Sequence, residues 1–248
     1  MSADLFDIVI PVGPNDTALV ASQVEATKRN VIGYRNIYLI THDPAISVDG
    51  CVTVYESLFP FSIDTVAGAH GRRKRNGWYL QQLIKLYAGL VIPEILDRYL
   101  VIDCDTFFMK PTTFVADGKA LYAFQTEHHR PYFAHMAEML PLLTRVDPSK
   151  SGICHHMLFE TKYVKELMNL IESGSSARGR PFHRIFLETV EEKERDFSGA
   201  SEYELYFNYM CKVHPNIITI RPLVYKGVSR LPVDEDCDYA SCHWYQRA

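Results

Sequence analysis

Apolar residues fall into two rhythms along this chain. Short, nearly unbroken apolar runs at residues 6–12, 36–40, 51–55, 98–102, 120–124, 153–160 and 216–220 read as strands. Between them, apolar positions recurring every three or four residues predict helices up to about residue 30 and over 78–88, 162–172 and 202–212. Strand, helix and strand in this order predict an α/β fold with a mainly parallel central sheet flanked by helices. Gly13-Pro14-Asn15-Asp16 closes the first strand with a loop and a helix N-cap. Residues 174–180, rich in Gly and Ser, are the most flexible-looking stretch, yet too short to separate two domains. No repeat or low-complexity tract interrupts the pattern, and one domain over residues 1–248 is expected.

Composition supports this picture. A chain of 248 residues, 47% of them hydrophobic, can bury a substantial core as one α/β domain. A net charge of -4 gives no support for a nucleic-acid surface. No apolar run approaches the roughly 20 residues that span a bilayer. The start, Met1 to Asp7, lacks a basic region and leads directly into a strand, so no signal peptide is expected there. Six cysteines scattered without a Cys-x-x-Cys pair suit reduced thiols and a cytoplasmic protein. Cys237 and Cys242 have the wrong spacing for a zinc knuckle.

The candidate chemistry begins where the apolar run at 99–102 stops at Asp103-Cys104-Asp105. In an open α/β sheet the C-terminal ends of the strands are where ligands bind. Alternation along an extended backbone puts Asp103 and Asp105 on one face, with Cys104 turned away. Two such carboxylates can share a divalent cation, and they need a metal, a proton or a basic partner to stay ionised together. Standing alone, the pair also fits a strand-end turn, where Asp is common. The buried run before it and Phe107-Phe108-Met109-Lys110-Pro111 after it favour a working site.

Taken in order, the strand ending in Ile10-Pro11-Val12-Gly13-Pro14-Asn15-Asp16, the Trp78-to-Leu86 helix, Asp103-Cys104-Asp105, Ser201-Glu202-Tyr203-Glu204 and the late His243-Trp244 resemble GT-A glycosyltransferases. The small bacterial and large-algal-virus (chlorella virus type) members are the most alike, and the resemblance spans Phe6 to Trp244. It implies a GT-A (Rossmann-like) domain whose nucleotide-binding part covers about residues 1–111 and whose acceptor-binding part covers about 112–248. It also implies a nucleotide-sugar donor, most often a UDP-sugar, bound with Mn²⁺ or Mg²⁺, and a carbohydrate or other hydroxyl acceptor. Asp105 would then bind the metal directly, and Asp103 would reach the ribose, or the metal through water. His243 would complete the metal shell, although it also fits a surface position in a tail. The cation would stabilise the charge that grows on a departing diphosphate.

The resemblance places the Pro11-Val12 backbone and Asp43 against the base. Arg72, in the basic run from Arg72 to Arg75, could close over the diphosphate, or be solvated like many basic loops. Lys85 follows Gln81 by four residues and Gln82 by three, so all three can line one helix edge toward the donor; a solvated lysine fits as well. For an inverting enzyme Glu202 would be the base that deprotonates the acceptor, with Glu204 in reserve. A first-turn acid also complements the helix dipole. Of His155 and His156, adjacent on a strand, at most one faces the cleft, and His156 is preferred because Met157 and Leu158 then continue into the core. His128-His129-Arg130, in a loop, could meet the acceptor.

Two rivals share parts of this outline. A haloacid-dehalogenase-type phosphatase would use Asp103 as nucleophile and Asp105 as acid/base, but it usually carries Thr or Val where Phe107 stands, and its motif sits in a first strand. A non-catalytic nucleotide-sugar-binding module would keep the site and need no base.

Overall fold

The apolar runs assemble into one sheet. The computed structural model describes residues 5–174, 177, 179–231 and 236–247. Its five-stranded sheet has the order Val52–Tyr55, Tyr34–Thr41, Phe6–Pro11, Arg98–Ile102, His156–Glu160. The first four strands are parallel and the last is antiparallel at the edge. Val9, Leu39, Leu100 and Val101 are wholly buried, as in a sheet covered on both faces. The helix Asn76–Val91 packs on the Phe6–Pro11 and Arg98–Ile102 strands, and Thr161–Glu172 and Glu202–Val213 pack on His156–Glu160.

This order creates the crevice. From Phe6–Pro11 the chain builds outward through Tyr34–Thr41 to Val52–Tyr55, then returns to the other side of the first strand with Arg98–Ile102. Connections leave the C-terminal ends of those two neighbouring strands in opposite directions, and the gap between them is a topological switch point.

Three short helices, Ile63–His70, Arg130–Met139 and Phe182–Glu188, were not expected, because their apolar positions are too few to show a period. The strand expected over 153–160 begins only at His156. His155 has φ +59°, a left-handed conformation that breaks the extended path before it. Of the segment read as flexible, Ser175, Ser176 and Arg178 lie outside the described residues.

The tail, read as loop-rich, has a decisive pairing. Tyr239–Ser241 runs antiparallel to Thr106–Phe108, with Ser241 opposite Thr106, and Tyr225–Gly227 flanks it. A 2.8 Å hydrogen bond between the Thr106 and Ser241 hydroxyls closes the pair. Among the described residues no helix is long and apolar enough to cross a membrane, and the six cysteines form no disulfide.

Two core histidines set an acid limit on stability. His156 is enclosed by the rings of Phe108, Phe114 and Tyr239, and His135 bonds the Phe186 carbonyl through Nε2 at 2.7 Å. Burial lowers their pKa values to about 3 and about 4, against roughly 6.5 for an ordinary histidine. The unfolded chain therefore takes up protons first, so stability is full above about pH 6.5 and falls as the pH drops toward the folded-state values. The expected loss at pH 5 is roughly 2 kcal/mol per histidine, read as a lower urea midpoint than at pH 7. His156→Phe, which suits the aromatic surroundings, should shrink that pH dependence; an unchanged dependence would refute the assignment.

Candidate active site

The strand Arg98–Ile102 ends one residue before Asp103, and residues 103–106 form a turn closed by the Thr106 N–H donating to the Asp103 carbonyl at 2.9 Å. Strand alternation therefore does not govern the two acids, and each has its own partners. Asp103 Oδ1 takes the Lys85 ammonium at 2.6 Å and the Tyr203 hydroxyl at 2.8 Å. Its Oδ2 lies 3.3 Å from His155 Nδ1. Asp105 Oδ2 instead lies 2.9 Å from His243 Nδ1.

Lys85 is buried and makes a second 2.6 Å ion pair, to Glu202 Oε1, while its ammonium stands 4.4 Å from the centre of the Tyr203 ring. Burial by itself would neutralise this lysine, but Asp103 and Glu202 hold its pKa above the ordinary value. Burial also works against the Asp103 carboxylate, and Lys85 and His155 outweigh it, holding that carboxyl well below the usual range. Glu202 goes the other way: burial raises its pKa, with Lys85 offsetting part of the rise.

His243 reaches Asp105 through the tail pairing. Register places Ser241 opposite Thr106, so the Cys242 N–H donates to the Asp105 carbonyl at 2.8 Å and the next side chain falls on the carboxylate. Burial lowers the His243 pKa, but the hydrogen bond and charge of Asp105 raise it further, for a net increase. Tyr225 OH meets His243 Nε2 at 3.2 Å. Beyond it, the Arg247 guanidinium bonds the Asp16 carboxylate and the carbonyls of Asn15 and Cys242, fastening the tail to the loop after the first strand.

These groups border a cavity of about 970 Å³ at the switch point. Pro11, Lys85, Asp103, Asp105 and His243 line it as the sequence suggested, and so do Asp16, Gln81, His155 and Tyr225. Other expected residues do not line it. Glu202, 3% exposed, is held on Lys85. Glu204 is buried against Ser151, the Gly152 N–H and Asn208, and the buried Gln82 accepts the Glu202 N–H at 3.1 Å instead of meeting a ligand. Val12 is buried, its N–H committed to the Ile40 carbonyl. Asp43 turns back to accept the Ala45 N–H at 2.9 Å. Arg72 is exposed outside the cavity, and Lys74 and Arg75 of the same run border it.

The choice between the two histidines is reversed. His156 lies in the aromatic core, while His155, turned aside by its left-handed backbone, borders the cavity. His129 is tied to the Ser198 carbonyl at 2.7 Å. Tyr203 and Arg247 were missed altogether: a tyrosine in a helix's first turn and an arginine in a tail carry no sequence signal of their partners.

Asp105 and His243 could serve a cation. Two ligands at neighbouring corners of an octahedral shell with bonds near 2.1 Å stand about 3 Å apart, and Asp105 Oδ2 and His243 Nδ1, which here share a hydrogen bond, stand 2.9 Å apart. Among the described residues no three of His, Cys, Asp and Glu gather into a metal cage. A magnesium-type ion needs only one or two protein ligands when substrate phosphates complete its shell.

Fold and site together define an α/β protein with a cavity at the strand ends bordered by paired charged side chains. The chain belongs to a family of unknown function, DUF6492, whose model matches residues 34–220. No curated protein matches it. Among solved structures it is similar to mouse xyloside xylosyltransferase 1 in its apo form, with 10% identity, 96% of this chain and 97% of that chain covered, and a TM-score of 0.49. That degree of likeness decides nothing about chemistry.

Removing the shared cation tests the ion-pair cluster. Lys85→Met leaves the buried Glu202 carboxylate and the part-buried Asp103 carboxylate without their shared cation and should cost on the order of 3 kcal/mol in urea unfolding. Adding Glu202→Gln should return a large part of that loss. A single-mutant cost below about 1 kcal/mol, the size of a surface pair, would show that the cluster does not hold the site.

Proposed function

We propose that this protein is a metal-dependent glycosyltransferase that moves a sugar from a nucleoside diphosphate donor to a hydroxyl acceptor such as a glycan. The observation that carries the reading is the Asp105–His243 pair, a carboxylate and an imidazole 2.9 Å apart that border a cavity at the switch point. The order of motifs along the chain, resembling GT-A enzymes, supports it and favours a UDP-sugar.

Asp105 and His243 would hold Mn²⁺ or Mg²⁺, and the bound cation would neutralise charge on the departing diphosphate. Carboxylate suits Mn²⁺, and imidazole is an acceptable ligand for it. Asp103 keeps its place through Lys85 and Tyr203, and a ribose hydroxyl would have to share its other oxygen with His155. Tyr225 steers the His243 ring from its far nitrogen, in the manner of groups that orient metal ligands. Lys74 and Arg75 add positive charge on the cavity wall for the phosphates. Glu202 serves Lys85 and Glu204 is buried against Ser151 and Asn208, so neither of the two residues expected as an inverting enzyme's base reaches the cavity. A phosphatase would need Asp103 as an unencumbered nucleophile, whereas both its oxygens have partners.

The test is calorimetry with UDP in the presence and absence of Mn²⁺. Binding should require the metal, and Asp105→Ala or His243→Ala should weaken it by at least tenfold, the scale of damage to a metal's ligand sphere. A panel of sugar nucleotides should then reveal the donor by slow hydrolysis. Metal-independent binding, or phosphate release from simple phosphomonoesters, would overturn the reading.

A further inference from the structure

The cavity extends beyond the metal-ligand pair along the C-terminal edge of the sheet. Neighbouring strands are about 4.8 Å apart. Across three such steps from Asp103, past the end of Phe6–Pro11 and the end of Tyr34–Thr41, lies the end of Val52–Tyr55. That distance is about 14 Å, a span that an extended nucleoside diphosphate bridges between its terminal phosphate and its base.

Two polar side chains meet at that far end. Thr41 and Tyr55 are register partners, so the residues that follow them, His42 and Glu56, emerge side by side. His42 Nδ1 and Glu56 Oε1 are 3.8 Å apart, and both residues line the cavity. The neighbouring Asp43, occupied with the Ala45 N–H, holds the turn that presents His42. Glu56 leads a short helix, and its side chain remains about a quarter exposed, accessible to a ligand.

We infer that His42 and Glu56 read the nucleobase of the donor and select a keto base, one with a ring N–H beside a carbonyl oxygen. This inference rests on the nucleotide-sugar reading of the same cavity. A glutamate carboxylate only accepts hydrogen bonds, so it pairs with a ring N–H, while the imidazole can donate to the adjacent carbonyl. Uracil and guanine offer that edge. Cytosine and adenine present a ring nitrogen lone pair in its place, which faces the carboxylate with like polarity and leaves a desolvated acceptor unpaired.

The experiment is calorimetric titration of UDP, GDP, CDP and ADP, in saturating Mn²⁺ and without it, into the full chain and into Glu56→Gln and His42→Ala, with circular dichroism to check folding. In the native chain UDP or GDP should bind on the order of tenfold more tightly than CDP and ADP, the worth of one hydrogen bond to a charged group. The UDP and GDP arms identify the base. Glu56→Gln, whose amide can donate to a ring nitrogen, should bring CDP near parity with the preferred keto nucleotide, and His42→Ala should weaken the latter. Equal Mn²⁺-dependent binding of all four, or a preference unchanged in Glu56→Gln, would overturn the base assignment and leave the metal-dependent reading standing. Absent or Mn²⁺-independent binding of all four would overturn both.

Discussion

A single buried ammonium organises the site. Lys85 projects from the Asn76–Val91 helix and lies 2.6 Å from both Asp103, at the central strand end, and Glu202, in the first turn of another helix. Taking an ammonium out of water costs several kcal/mol, which only close, well-bonded carboxylates can offset. The cost of separating any of the three makes the relative position of strand end and helices a fixed quantity. Tyr203 adds a hydroxyl to Asp103 and a ring face to the ammonium. This cluster therefore divides labour between the two neighbouring acids: Asp103 is held by protein partners, and Asp105 is directed to the tail and the cavity.

The second constraint is the return of the C-terminal segment. His243 stands 138 residues from Asp105 in sequence, and two-residue-scale register decides whether they meet. Pairing of Tyr239–Ser241 with Thr106–Phe108, sealed by the Thr106–Ser241 hydroxyl bond, sets that register. At the other end of the tail Arg247 grips the loop after the first strand. One wall of the cavity is thus a short segment fastened at both ends, and the side chains offered by it are positioned by strand pairing as much as by their own rotamers.

Much of this was legible in the chain. Continuous apolar runs specified the strands, three-and-four spacing specified the long helices, and the abrupt stop at Asp103-Cys104-Asp105 identified a strand end that borders the cavity, because burying apolar surface leaves a periodic trace. The position of Lys85 on its helix and the late His243 also stood out as candidates. What periodicity conveys, however, is which face of an element is apolar, and it says nothing of the partner that a polar side chain meets.

That choice belonged to the tertiary structure. A left-handed residue at His155 exchanged the roles expected of the two histidines, a turn replaced the strand alternation assumed for the two aspartates, and burial bound Glu202 to Lys85. His42 and Glu56 were brought together by the register of two parallel strands. The sequence determined the elements and the chemical types available, because local hydrophobic pattern acts over a few residues. Only the folded chain decided which charges are paired and which face the cavity, because those energies depend on contacts between residues far apart in sequence and on how much water remains around them.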